Sequence, residues 1–179
     1  MSPVLQYGMT AKILHWMIVG LLAVQYPLGW LMPDIHRGMQ PGVGMTLHIS
    51  IGLLILAVIA ARLIWRITHP VIPESSLPQW QRLTSELLHW MLYIMILLTA
   101  VSGWLFASFR GWSASLFYLL PFPMLTSEDA QAVKTIDGLH QAAEWLLLGL
   151  VSVHVIAALI HLFYYRDRVM ARMLITNKH

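Results

Sequence analysis

Four stretches of the chain, residues 11–32, 45–67, 83–106 and 138–165, are almost wholly apolar. A helix rises 1.5 Å per residue, so about 20 residues cross the hydrocarbon core of a bilayer. All four stretches are long enough, and the last can tilt or project beyond the lipid. Composition agrees: 58% of the 179 residues are hydrophobic and 11% are charged, where soluble domains carry about 25% charged residues. Mean hydropathy is +0.68. The expected fold is an all-α membrane protein, a four-transmembrane-helix bundle forming one domain over residues 1–179 with no room for a large soluble domain.

The connections are clearly punctuated. Residues 33–41 hold Pro33, Asp34, Arg37 and Pro41, and residues 69–81 contain Pro70, Pro73 and Pro78, through which no helix continues. In the longer link, residues 111–134, the apolar stretch WSASLFYLLPFPML is broken by Pro121 and Pro123 and reads as an interfacial segment. Ser127, Glu128 and Asp129 read as the start of a short helical turn leading to the fourth span.

Orientation follows from Lys and Arg. Lys12, Arg62, Arg66, Arg82, Arg166, Arg168, Arg172 and Lys178 fall on one side, and only Arg37, Arg110 and Lys134 on the other. The richer side is cytoplasmic, which puts both termini there. Trp16, Trp30, Trp65, Trp90, Trp104 and Trp112 lie near the expected interfaces, where tryptophan anchors a span. The formal charge of +3 therefore reports topology, and no nucleic acid is expected as a partner. The start of the chain does not read as a cleaved signal peptide. There is no cysteine, which excludes disulfides, thiolate metal sites, iron–sulfur clusters and covalently attached haem.

Six of the nine histidines lie inside the apolar runs: His15, His48 and His89 in the first three, His140, His154 and His161 in the fourth. Ionisable residues in a span are costly and normally face the bundle interior with a partner. His140 and His154 are fourteen residues apart, so they share a face and stand about 21 Å apart along the axis. They cannot share one metal ion, whose ligands lie within a few ångströms. They can serve two sites, each completed from another helix. His48 lies at a depth similar to His140. His15 and His89 both lie near His154, and spacing does not choose between them. Two stacked bis-histidine sites in a four-helix bundle are the arrangement expected for two non-covalent b haems in the bundle core. Small residues near the ligands leave room for a flat macrocycle: Gly44, Ser50 and Gly52 near His48, Ala142 and Ala143 near His140, Gly149, Ser152, Ala157 and Ala158 near His154.

On ILHW (13–16), LHISIGLLIL (47–56), ARLIWRITHP (61–70), LLHWMLYIMILLTAVSGW (87–104), GLHQAAEWLLLGLVSVHVIAALIHLF (138–163) and the basic RDRVMARM tail (166–173), the chain resembles the prokaryotic cytochrome b561 family. That resemblance implies a multi-pass protein of the bacterial inner membrane with two b haems. It implies His15 with His154 as ligands on the cytoplasmic side and His48 with His140 on the periplasmic side. It also implies membrane electron transfer, in some members from superoxide to ubiquinone.

The remaining polar residues have candidate roles. His89 and His161 suit proton delivery to a quinone site on the cytoplasmic side, because imidazole titrates near neutral pH. Glu144, one turn from His140, is a candidate proton relay. Arg62 and Arg66, one turn apart, are candidate partners for haem propionates. Arg37, Arg110 and Lys134 are the outer cations available to steer an anionic donor, but Asp34, Glu128, Asp129 and Asp137 lie on the same side, so net charge does not favour steering. The leading expectation is a superoxide:ubiquinone-type electron-transfer protein. A relay and anchor subunit of a larger oxidoreductase is the alternative, and a transporter without haem is a weaker third.

Overall fold

The computed structural model describes residues 7–33, 35–36, 38–70, 77–113 and 115–174. The sequence readings on Asp34, Arg37, Pro73 and Lys178 lie outside these residues. The four apolar runs are four helices: α1 (Met9–Trp30), α2 (Val43–Thr68), α3 (Gln79–Phe109) and α4 (Ala130–Ile160). Each is long and apolar enough to cross a membrane. α2 packs against α1 and α3, and α3 against α4.

The bundle has a thin core and a wide apolar surface. Ile18, Ile55, Val58, Ile59, Tyr93, Ile96 and Leu147, drawn from all four helices, form one buried layer. Phe106, Ala107 and Trp112 form a second near the α1–α2 and α3–α4 connections, here called the loop end. Ile64, Leu87, Ile94, Leu98, Trp145, Val153 and Ile156 point outward and are exposed. Apolar residues around the outside of helices are stable in lipid, where the backbone polar groups are satisfied within each helix.

Helix ends show where local chemistry acts. α4 starts at Ala130 because the Asp129 carboxylate accepts from the backbone N–H groups of Gln131 and Ala132 at 2.8 and 3.2 Å. The short turn expected at residues 127–129 is thus the cap of α4 itself. At its other end α4 widens into a π-helical turn, His161–Tyr165, and Arg166 takes a left-handed conformation (φ 50°). The chain then folds back so that Lys12 Nζ donates to the Leu174 carbonyl at 2.9 Å and Trp16 Nε1 to the Met173 carbonyl at 3.0 Å.

The long link departs from an all-α plan. Ser115–Leu116 (β1) and Leu120–Pro121 (β2) pair antiparallel around a turn in which Phe117 and Tyr118 have φ of 50° and 63°. The fully buried Ser50 of α2 holds this hairpin, accepting from Phe117 N–H at 2.8 Å and lying 2.9 Å from the Ser115 carbonyl. Ser50 is therefore an anchor and does not clear space for a macrocycle. Trp112 is likewise no interfacial anchor: it is buried, and its indole N–H donates to the Met39 carbonyl at 2.8 Å.

Candidate functional site

Two pairs of imidazoles face each other across the bundle interior. At the loop end His48 of α2 meets His140 of α4, with ring centroids 6.4 Å apart. At the opposite end His15 of α1 meets His154 of α4, at 6.3 Å. An imidazole nitrogen about 2 Å from a metal leaves its ring centroid about 3.2 Å away, so two rings in line across one metal stand about 6.3 Å apart. Both pairs match that span. His89 of α3 also approaches His154, but at 5.3 Å, about 1 Å too close for an intervening metal. Its Nδ1 lies 3.4 Å from Ser85 Oγ. Among the described residues no three or more His, Asp or Glu side chains are grouped to hold a bare metal ion. Two ligands from opposite sides suit a group that supplies the remaining coordination itself.

The loop-end pair sits in a cavity whose walls include Gly29, Gly52, Gly103 and Glu144. His140 Nδ1 is 3.0 Å from the Thr99 carbonyl. A carbonyl only accepts, so this bond places the proton on Nδ1 and leaves Nε2 with its lone pair free. Ser102 Oγ, 3.0 Å from the same nitrogen, helps fix the ring. His48 is less complete: Gln25 Nε2 lies 3.2 Å from its Nε2, while His48 Nδ1 and Gln25 Oε1 are both buried without a partner.

Backbone approach seats both rings. A Cβ on Gly103 would fall 2.9 Å from His140 Cε1, and one on Gly29 would fall 3.3 Å from His48 Cε1. The glycines that press on the rings thus come from α3 and α1, across the bundle, and not from the ligands' own neighbours in sequence. By contrast, a Cβ at Gly149 meets nothing within 4 Å.

The other candidates are more scattered. Arg62 spends one donor on the Ala11 carbonyl at 2.8 Å, and its guanidinium lies 5.8 Å from the Tyr93 ring. Arg66 stands in the last turn of α2. Glu144 lines the loop-end cavity, and its backbone carbonyl accepts from Tyr26 Oη at 3.0 Å. His161 lies beyond the α4 helix, with Nδ1 2.5 Å from Asp167 Oδ2, and the other oxygen of Asp167 accepts from Val169 N–H. Lys134 is exposed. Gln25, Thr99, Gly29, Gly103 and Asp167 are contributors that sequence reasoning missed, because each acts across helices or across a turn.

A four-helix membrane bundle with two facing histidine pairs is an architecture that a membrane cytochrome could use. The family model for prokaryotic cytochrome b561 matches residues 6–175, and the chain belongs to that family. It is 26% identical to cytochrome b561 homolog 2 of Escherichia coli (strain K12), over 94% of this chain and 91% of that relative. It is 28% identical to cytochrome b561 homolog 1 of the same organism, over 97% and 99%. A probable superoxide oxidase, CybB, of Yersinia pestis is 24% identical over 90% and 91%. The protein is accordingly a multi-pass bacterial membrane protein whose family carries b-type haem and transfers electrons.

Proposed function

We propose that the chain binds two haem b groups, one between His48 and His140 and one between His15 and His154, and carries electrons from a periplasmic-side donor to membrane ubiquinone. The observation that carries this reading is the pair of centroid separations, 6.4 and 6.3 Å, each fitting two imidazoles across one metal. When bound, haem supplies a one-electron carrier whose potential its ligands and surroundings tune. His140 contributes a lone pair oriented by the bond from Nδ1 to Thr99. The buried layer of Ile55, Val58, Ile59 and Ile96 keeps water out between the two histidine levels.

The bundle lies in the inner membrane with both termini cytoplasmic, which the uneven distribution of Lys and Arg supports. The loop end is then periplasmic, and superoxide is the proposed donor there, in line with the relative named a probable superoxide oxidase. His89, beside His154, and His161, held by Asp167, are the proposed proton-handling groups of a cytoplasmic-side quinone site. Glu144 is the proposed proton relay beside His48 and His140. Arg62 and Arg66 are the proposed partners of the cytoplasmic-side haem's propionates.

The purified haem-loaded protein, given superoxide and a soluble ubiquinone, should reduce the quinone faster than the uncatalysed reaction. The His48→Ala variant should lose that activity. Catalysis absent in the parent but restored by a soluble redox partner would instead make the chain a relay and anchor subunit.

A further inference from the structure

At the loop end a second pocket adjoins the His48–His140 cavity. Pro33, Ile35, Phe106, Arg110, Asp137 and Gln141 line it, and Ile35, Phe106 and Asp137 also line the histidine cavity. Asp137 is engaged by Gln141, whose amide donates to it at 3.2 Å. Arg110 is the residue that stands out. Its guanidinium lies over Trp112 at 4.7 Å and Phe106 at 5.6 Å, which fixes the plane of its donors. Nη2 donates to the His36 carbonyl at 2.6 Å. Nε is buried and has no hydrogen-bond partner.

Among the described residues no carboxylate pairs with Arg110. The side chain as a whole is half-buried, so solvent reaches the charge, but the buried Nε–H is left without an acceptor. The site lacks one acceptor, and a carboxylate is the acceptor a guanidinium binds most strongly. Haem b is a flat apolar ring with two carboxylates on one edge. The walls around His48 and His140 are mainly apolar, and the adjoining pocket carries the unmatched cation.

We propose that Arg110 holds a carboxylate of the haem bound between His48 and His140. The inference rests on the haem reading above. It makes Arg110 a cofactor-binding residue and not a steering group for the donor. A small anion from solution would offer the same chemistry, and the experiment separates the two sources.

The full-length haem-loaded protein is mixed with excess apomyoglobin, and the loss of each haem is followed for the parent, Arg110→Gln and Arg110→Lys. In the Gln variant one haem leaves roughly tenfold faster, as loss of one charge-assisted hydrogen bond predicts. The Lys variant lies between. The other haem leaves at the parental rate and reports that the bundle is folded. Parent protein reconstituted with haem whose carboxylates are methyl esters loses that haem as fast as the Gln variant loses natural haem. If the Gln variant does not fold, Arg110→Lys decides in its place, by faster loss of one haem than in the parent. A Gln variant that keeps both haems at the parental rate overturns the inference. So does an ester that the parent holds as tightly as natural haem, for then the anion comes from solution. A parent without haem overturns the haem reading itself and this inference with it.

Discussion

A Cβ at Gly103 would fall 2.9 Å from His140 Cε1, closer than real side chains tolerate. Gly103→Ala should therefore push the imidazole off its bond to Thr99 and lower affinity for the loop-end haem at least tenfold, read by haem titration. Gly149→Ala, whose added methyl meets nothing within 4 Å, should leave both haems in place. At this scale the histidines were legible, because an imidazole in an apolar run demands a partner. Their supports were not. Gly29, Gly103, Gln25 and Thr99 touch the rings only after the helices pack, and no local spacing marks them. Between His15 and His89, open on spacing alone, the resemblance favours His15, and their ring centroids lie 6.3 and 5.3 Å from that of His154.

Among the elements, the helices were readable and the hairpin was not. Long apolar runs ended by proline allow little besides a spanning helix. The turn between β1 and β2 uses Phe117 and Tyr118 at positive φ, where sequence rules expect glycine or asparagine. Such residues cost about 1–3 kcal/mol each and persist only where the surroundings impose them. Ser50, far off in sequence, imposes the turn through Phe117 N–H and the Ser115 carbonyl. Ser50→Ala should leave that part-buried N–H unpaired, at a cost of about 1 kcal/mol. Hydrogen exchange across residues 115–121 should speed up markedly, while the haem at the opposite end stays bound. Unchanged exchange there would mean that the hairpin holds itself.

In the whole molecule, α4 organises the proposed electron path. It carries His140 and His154 fourteen residues apart, which puts the two sites about 21 Å apart along one helix. α1 and α2 each complete one site, and a buried layer from all four helices separates them. Two independent sites on one scaffold should fail independently. The most direct test is haem stoichiometry with a reduced-minus-oxidised absorption spectrum, taken for the purified parent, His48→Ala and His154→Ala. The account predicts two b haems in the parent and one in each variant, with different residual spectra because different haems remain. A folded parent without haem, or one haem lost by both variants alike, would contradict it.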